Sequence, residues 1–272
     1  MNNFDTLIEN GLVVTENEIG QLNIGIRDGK VAYLGDKNLN AELKINANNL
    51  IILPGGIDPH VHVDQPSGDD VIMADDFQSA TKSAAAGGNT TILPFAMQIK
   101  GQSLRKCVED YHKKASGNLY IDTSFHLIIS DPTPQVLGQE LPALSKDGYT
   151  SFKVFMTYDD LVLNDKELIE VFDVAKQLKT LVMVHAEGYD SIKYLSDKFE
   201  KEGKTAPYYH APTRPQIVER EATHRAISHA QIVDIPLMIV HVSGEEALTQ
   251  IRWAKDKGIK VFSETCPQYI CL

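Results

Sequence analysis

The chain has 272 residues, of which 43% are hydrophobic and 7% aromatic, a composition ordinary for a globular protein with a sizeable core. Its 37 acidic residues outnumber 26 basic ones, and the net charge of −11 disfavours binding to phosphate backbones and anionic lipid. We therefore expect no nucleic acid and no membrane as partner.

The cysteines and the N-terminus bear on location. Three cysteines, Cys107, Cys266 and Cys271, lack C-x-x-C spacing and are interpreted as free thiols, and the N-terminus lacks a secretory pattern. Both observations predict a cytoplasmic location.

Residues 1–53 are predicted to form a small β unit of short strands and turns. The dipeptide Asp28-Gly29 between alternating apolar positions is a strong hairpin signal, because glycine accepts positive φ without steric cost. Pro54-Gly55-Gly56 then forms a bent junction. The predicted strands cover residues 6–14, 22–26, 31–34 and 45–53.

After this junction the pattern changes to strands that alternate with helices, which favours a parallel sheet with right-handed crossovers. Seven such strands are predicted from His60 onwards, whereas a closed β/α barrel has eight. We predict this barrel, one strand short, over residues 54–272. A doubly wound open sheet is the alternative, but no glycine-rich dinucleotide turn follows the first strand. The later strands are predicted at 89–95, 121–129, 151–156, 180–185, 236–241 and 259–263, and the helices at 75–86, 104–114, 135–144, 166–178, 215–231 and 245–257.

The strand that opens the barrel carries His60 and His62, and an i, i+2 pair lies on one face of a strand, so one metal ion can bind both. Asp58 shares this face and could orient one of the two rings. An H-x-H pair alone is weak evidence, because an isolated histidine is more often a satisfied core or surface residue. The opposite face is predicted to pack against apolar side chains and carries Ile57, Val61 and Val63.

Three later strands strengthen the prediction. His185 and His241 each follow four apolar residues at a strand end, where barrel active sites gather. Lys153 lies inside an otherwise apolar strand, although a buried ammonium costs several kcal/mol unless it is paired or reaches solvent. Burial lowers a lysine pKa, and a neutral amine can react with carbon dioxide to form a carbamate that bridges two metals. Four imidazoles with this lysine therefore predict a binuclear metal site. The remaining histidines, assigned to packing or to solvent-facing helices, are His112, His126, His210, His224 and His229.

These ligand residues, in this order and on these strands, resemble the amidohydrolase superfamily. Within it, four segments that span nearly the whole chain resemble the dihydropyrimidinase and D-hydantoinase family. The resemblance implies an incomplete (β/α)8 TIM-type barrel of the metal-dependent hydrolase kind over residues 54–272, with residues 1–53 as the N-terminal part of a β-sandwich. The four segments are Pro54-Gly55-Gly56-Ile57-Asp58-Pro59-His60-x-His62, Ala84-Ala85-Ala86-Gly87-Gly88-Asn89-Thr90-Thr91, Ser151-Phe152-Lys153-Val154-Phe155-Met156 and Glu264-Thr265-Cys266-Pro267-Gln268-Tyr269.

The resemblance also implies the ligand set. His60 and His62 would bind one metal, His185 and His241 a second, and Lys153, carried as N6-carboxylysine, would bridge the two. Two divalent ions about 3.5–4 Å apart make a hydroxide available near neutral pH for attack on an amide carbon. Zinc suits imidazole and oxygen ligands, with manganese and cobalt as alternatives.

Tyr158 matches a family tyrosine that binds the substrate and donates to the oxyanion, so it would be both catalytic and substrate-binding; a surface-loop tyrosine is the alternative. The implied reaction opens a dihydropyrimidine, as in pyrimidine catabolism, or a 5-substituted hydantoin to an N-carbamoyl amino acid. The family also implies a homo-oligomer. Residues 65–70 are a candidate loop for substrate selection.

Allantoinase and dihydroorotase are alternatives that share this metal chemistry. Dihydroorotase ranks lower, because no arginine at a strand end offers a grip for its substrate carboxylate. A non-catalytic dihydropyrimidinase-like scaffold is the alternative from another class, although such proteins typically lose ligands that this chain keeps.

The chain departs from the family pattern in stopping at Leu272, just after the seventh predicted strand. The family's eighth strand carries an aspartate that binds the first metal and moves the proton, and the residues that grip the ring imide lie beyond strand seven. Glu264 and Asp234 match neither that motif nor that strand. We therefore expect the isolated 272 residues to hydrolyse cyclic amides poorly and to expose unpaired strand edges.

Overall fold

The structure is a computed structural model that describes residues 4–68 and 71–271. The first three residues of the predicted sandwich portion, residues 69 and 70 of the predicted loop, and Leu272 at the end of the predicted barrel lie outside the described residues. By internal contacts the chain divides into two compact units. The first comprises residues 1–57 and 88–90, and the second comprises residues 58–87 and 91–272.

The first unit is built on a mixed sheet with the strand order β3-β2-β1-β4, and β5 also pairs with β1. Strands β1, β2 and β3 are joined antiparallel, whereas β4 and β5 run parallel to β1. The predicted hairpin is confirmed, since Asp28 and Gly29 have φ values of 52° and 71°, the paired left-handed conformations of a tight hairpin turn. The strands are β1 (Phe4–Val14), β2 (Ile19–Arg27), β3 (Lys30–Gly35), β4 (Ala41–Asn46) and β5 (Ile51–Ile52).

One predicted strand of this unit, over residues 45–53, was wrong as a continuous element. A turn divides it into β4 and β5, with the Leu50 amide donating to the Ala47 carbonyl at 2.9 Å. Asn49 in this turn has a φ of 62°, a left-handed conformation that asparagine tolerates better than most residues. Asn48 and Asn49 therefore form a turn. This turn was missing from the prediction because apolar residues flank it on both sides.

The second unit contains a parallel sheet in which neighbouring strands follow one another along the chain. Its order is β13-β12-β11-β10-β9-β7-β6, and the short β8 pairs with β7. In the described part of the chain, seven strands lie side by side in this order. This arrangement confirms the predicted fold class of an incomplete β/α barrel. The strands are β6 (Gly56–Val61), β7 (Asn89–Met97), β8 (Asp122–Thr123), β9 (His126–Ile128), β10 (Ser151–Phe155), β11 (Leu181–His185), β12 (Leu237–Ile239) and β13 (Val261–Ser263).

Helices connect these strands, and the first is capped by Asp76, whose carboxylate accepts from the Ser79 amide. The helix α5 was missing from the prediction, as was the 3-10 turn over 207–213 that follows it. None of the helices in the described ranges is long and apolar enough to cross a bilayer. The helices are α1 (Phe77–Ala86), α2 (Leu104–Ala115), α3 (Leu141–Lys146), α4 (Asp165–Leu178), α5 (Tyr189–Lys201), α6 (Gln216–Val233), α7 (Glu245–Asp256) and α8 (Pro267–Cys271).

Two further predicted elements differ in detail. The strand expected over 121–129 is divided into β8 and β9. The helix expected over 135–144 begins as a π-helical turn at Val136–Glu140, in which the Leu141 amide donates to the Val136 carbonyl. Pro142 explains this change, because its ring lacks an N–H and would clash with the carbonyl four residues earlier in a regular α-helix.

Alternation along the parallel strands separates two apolar clusters. Phe152 and Val154 belong to the large cluster that also contains residues of the helices. The opposite face contributes Phe155 to a small second cluster, whose other buried members are Phe95, Ile128, Met183 and Val240. Because the side chains of a strand alternate, Lys153 shares the face of Phe155 and belongs with the small cluster rather than with the main core.

The main core yields a stability prediction. Phe172 on α4 is fully buried, and truncation to alanine leaves a cavity that the packed helices cannot fill. We expect Phe172→Ala to lower the free energy of unfolding by roughly 3–5 kcal/mol in urea titrations. Tyr194→Ala is the control, since Tyr194 on α5 is 67% exposed and should change stability by less than about 0.5 kcal/mol. Equal unfolding midpoints for the two variants would contradict this packing.

Candidate metal centre

Four histidines from separate parts of the parallel sheet meet at its carboxyl edge. His60 lies in β6, and the ring of His62, just beyond that strand, is 5.4 Å from it between centroids. The ring of His241 lies 5.5 Å from His60 and 4.5 Å from His185, the last residue of β11. The structure therefore brings together the four imidazoles that the sequence singled out.

Lys153 lies beneath these rings, fixed by strand register. It pairs with Met183 of β11 and Ile128 of β9, so it sits one inward-facing position before Phe155, which pairs with His185. The side chain is fully buried, and among the described residues its ammonium has no hydrogen-bond partner. Both alternatives considered for it, reaching solvent or pairing with a carboxylate, are therefore wrong.

The surroundings of Lys153 explain its electrostatics. Its Nζ lies 5.0 Å from the ring centroids of both Phe95 and Phe155, which offer little compensation for lost water. Burial lowers the pKa of Lys153 to about 7, although the nearby Glu264 opposes this shift. A substantial fraction of this amine is therefore neutral near pH 7 and able to react with an electrophile.

Three of the imidazoles, those of His62, His185 and His241, are biased towards the neutral form that binds metals. Burial is the largest cause in each case, and it lowers the pKa of His62 to about 4, although the hydrogen bond that His62 donates to Gln65 opposes this shift. The pKa of His241 falls to about 2, through burial and then the charges of His185 and Lys153. Burial also lowers the pKa of His185, and the contact with Glu187 opposes this.

Three of the four rings have a side-chain partner that the sequence did not assign. Glu264 hydrogen-bonds Nδ1 of His60, and Glu187 accepts from Nε2 of His185 at 2.6 Å. Gln65 lies 2.7 Å from Nδ1 of His62. A local signal existed for Glu187, which lies two residues after His185.

The role predicted for Asp58 is corrected by these contacts. Asp58 accepts from the backbone amide of His60 and not from its ring, which Glu264 contacts instead. Ile57 was expected to pack into apolar surroundings but is 64% exposed. Asp234 caps the end of α6 with a side chain that is almost fully exposed, so it takes no part in the site.

His62, His185 and His241 line a cavity of about 470 Å³, which Tyr158 also lines. The ring of Tyr158 is 5.1 Å from that of His185, but Tyr158 lies in a bend after β10 and is 42% exposed, so its catalytic role stays a prediction. Burial and then Glu187 raise the pKa of Tyr158, which keeps its hydroxyl a donor at neutral pH. Tyr158 and His241 have φ values of 72° and 38°, and left-handed conformations of large residues cluster at functional sites.

The assignment of the other histidines is partly corrected. His210, expected to face solvent or other helices, lines the same cavity together with Arg214. His126, assigned to packing, is buried as the first residue of β9, and its Nε2 contacts the Pro59 carbonyl at 2.8 Å. It therefore connects β9 to the strand that carries His60. His112, His224 and His229 lie on helices outside the cavity lining.

Within residues 4–68 and 71–271, no group of three or more His, Cys, Asp or Glu side chains is arranged to hold a metal. The donor set nevertheless suits metal binding, because the four imidazoles lie close together, with neighbouring ring centroids 4.5–5.5 Å apart, and imidazole is a common ligand of zinc. The unmodified ammonium of Lys153 has no lone pair for a metal, whereas a carbamate on the same nitrogen would offer two oxygen ligands. The buried Lys153 nitrogen without a partner is the feature that this modification would satisfy.

The chain is similar to known enzymes over nearly its whole length. It is 46% identical over 271 residues to the D-hydantoinase of Geobacillus stearothermophilus, covering 98% of this chain and 57% of that protein. It is 36% identical to the D-phenylhydantoinase of Escherichia coli, covering 98% and 58%. In structure it matches the dihydropyrimidinase from Brevibacillus agri with a TM-score of 0.94 at 42% identity, covering 98% of this chain and 58% of that one.

The chain thus spans slightly more than half the length of the relatives that it matches. The amidohydrolase family pattern itself covers residues 51–265, which include every residue named above as a predicted ligand. The resemblance to the amidohydrolases is confirmed: the relatives named above are hydantoinases and a dihydropyrimidinase, and this chain belongs to the amidohydrolase family.

Proposed function

We propose that this chain carries the metal centre of a cyclic amidase that opens a dihydropyrimidine or a 5-substituted hydantoin to an N-carbamoyl amino acid. The names of its relatives support this reaction class. The observation that carries the proposal is Lys153, a fully buried amine without a hydrogen-bond partner beneath four converging imidazoles. A structural core gains nothing from such a residue, because its burial is unfavourable unless it is modified or paired.

The proximity of the rings supports the proposed ligands. His60 and His62 would hold one divalent ion, and His185 and His241 a second. Lys153 would bridge them as N6-carboxylysine, formed when the neutral amine attacks carbon dioxide and releases a proton. Zinc suits this set, and when bound the two ions polarise a carbonyl and supply a nucleophile at neutral pH.

The chain's own residues supply the rest of the proposed chemistry. Tyr158 would donate its hydroxyl hydrogen to the amide oxygen as negative charge develops there. The apolar side chains of Met97, Phe155 and Leu161 line the cavity and would exclude water from the ring of the substrate. A group accelerates the reaction only if it binds the transition state, with its negative charge on the amide oxygen, more strongly than the substrate. Tyr158 is therefore the donor whose loss should lower kcat most.

Dihydroorotase chemistry is the second candidate. The sequence offered no arginine at a strand end for the substrate carboxylate, but the structure has one in the cavity lining. Arg214 lines the cavity, although it follows the 3-10 turn and does not stand at a strand end. A guanidinium there could bind a substrate carboxylate. Glu187 and His210 share the same wall, and the carboxylate of Glu187 would compete for this charge.

Some accompanying properties are also proposals. A homo-oligomer and a role in pyrimidine catabolism follow from the family alone. A cytoplasmic location is supported by the three cysteines, all of which are free.

Metal loading tests the proposal directly. The purified chain is incubated with zinc and ¹³C-bicarbonate, zinc is measured by elemental analysis, and the carbamate is observed by NMR. We expect bound zinc together with a lysine carbamate signal. The full-length gene product is then assayed for ring opening of four substrates: dihydrouracil, hydantoin, allantoin and dihydroorotate. A chain that binds neither zinc nor carbon dioxide would refute the proposal and favour the non-catalytic scaffold.

A further inference from the structure

The geometry points to Glu187, Glu264 and Gln65 as positioning residues that fix the tautomers of three imidazoles, so that the nitrogens facing the metals are set before any metal arrives. The inference rests on the proposed function, because it concerns how the same rings would present their lone pairs. A neutral imidazole has one N–H and one lone pair, and whichever nitrogen donates a hydrogen bond leaves the other free to bind.

His185 and Glu187 form the clearest pair. Their atoms Nε2 and Oε2 are 2.6 Å apart, and the two side chains are only 11% and 20% exposed. An ionised carboxylate can only accept, so Nε2 of His185 carries the hydrogen. Nδ1 is then the nitrogen with a free lone pair. This Nε2–H tautomer is also the major one for free histidine, so Glu187 reinforces the intrinsic preference of the ring.

His60 has the opposite arrangement. Its Nδ1 contacts the carboxylate of Glu264, with side-chain exposures of 13% and 18%. Nδ1 therefore donates and Nε2 is left free. Glu264 follows β13, and His60 lies in β6 at the other end of the strand order, so this contact also requires the sheet to curl.

His62 is oriented by the side-chain amide of Gln65, and a second hydrogen bond fixes which end of that amide faces the ring. Gln65 Nε2 donates to the Phe95 carbonyl at 2.9 Å, which leaves Oε1 to face Nδ1 of His62 at 2.7 Å. An amide oxygen accepts, so Nδ1 of His62 donates and Nε2 is free. His241 has no such side-chain partner among the described residues.

The three contacts have one chemical consequence. A histidine ligand that donates its second nitrogen to an oxygen is held in one orientation and one tautomer, and it becomes a stronger electron donor. Removing such a partner weakens metal affinity roughly 10–100-fold. The inference predicts free lone pairs on Nε2 of His60, Nε2 of His62 and Nδ1 of His185.

Nitrogen-15 NMR of the histidine rings in metal-free protein tests the tautomers. We expect His60 and His62 as the Nδ1–H form and His185 as the Nε2–H form, each assigned by its single-histidine deletion spectrum. Because Nε2–H is the major form of free histidine, the Nδ1–H form at His60 and His62 is the distinguishing readout. Finding it supports the inference, and the Nε2–H form or rapid exchange of both forms at these two rings overturns it. This measurement needs no metal, so a chain that fails to bind zinc would refute the proposed function without deciding the tautomers.

Metal affinity provides the second readout, measured by competition with a chromogenic chelator. Glu187→Ala and Glu264→Ala should bind zinc roughly 10–100-fold more weakly than the unaltered chain. Glu187→Gln and Gln65→Glu each retain an acceptor oxygen and should keep most of the affinity. Glu170→Ala, which removes a surface carboxylate paired with Lys166, is the control and should leave affinity unchanged. Unchanged zinc affinity in folded Glu187→Ala and Glu264→Ala would overturn the inference.

Discussion

Lys153→Met should make the metal-free protein more stable and at the same time abolish its uptake of zinc. Methionine fills a similar volume without a polar atom, and replacing buried charges with apolar side chains stabilises proteins by about 1–4 kcal/mol. The same change removes the amine that would become the bridging carbamate, so bound zinc should fall to a small fraction of that of the unaltered chain. Urea unfolding and elemental analysis measure the two effects.

The pH dependence of this stabilisation has a definite sign. Burial lowers the pKa of Lys153 to about 7 from the ordinary 10.5, so between these values the unfolded chain binds more protons than the folded one. Stability of the unaltered chain therefore rises with pH across this window, and below about pH 7 the destabilisation by Lys153 is fully present. In buffer free of carbon dioxide, the advantage of Lys153→Met should be largest below pH 7 and should shrink towards pH 10.5.

A matched control separates burial from charge. Lys166→Met replaces a side chain that is 83% exposed, and it should change stability by less than about 0.5 kcal/mol without affecting zinc. If Lys153→Met destabilised the protein or kept its zinc, Lys153 would be a structural residue and the proposed metal centre would be wrong.

Tyr158→Phe should lower kcat roughly 100–1000-fold while KM and zinc content change little, because removal of one oxyanion donor has this effect in acyl-transfer enzymes. The hydroxyl is the only group lost, and the ring keeps its contact with His185. The raised pKa of Tyr158 keeps the hydroxyl protonated at neutral pH, so its loss should reduce kcat at every pH in this range. Steady-state kinetics of ring opening, in the protein as its gene encodes it, measure this effect.

Tyr189→Phe makes the same chemical change at a tyrosine outside the lining of the metal-centre cavity. The Tyr189 hydroxyl donates to Asp159, and its removal should leave kcat within a few-fold of the unaltered value. Similar losses in the two variants would show that the effect of Tyr158→Phe is general destabilisation, and a negligible loss in both would remove Tyr158 from the proposed mechanism.

Local patterns were sufficient to predict the strand–helix alternation and the residues that converge. His60 and His62 share a face because strand side chains alternate, and Lys153 is conspicuous because a buried strand normally excludes lysine. The capping box at Asp76 and the hairpin at Asp28-Gly29 were likewise predictable, since each depends on a few consecutive residues. The amphipathic α5 was missed, and Pro142 shifted a helix into a π-helical turn through a clash that periodicity does not register.

The sequence by itself determined which residues are suited to bind metal, because donor chemistry belongs to the residue type and the face of a strand follows from counting. Only the tertiary structure decided which side chains orient those donors. Glu264 reaches His60 across 204 positions, and His210 and Arg214 join the cavity wall from a 3-10 turn. Contacts of this kind depend on the twist and curl that packing imposes on the whole sheet, and no local period of the sequence encodes them.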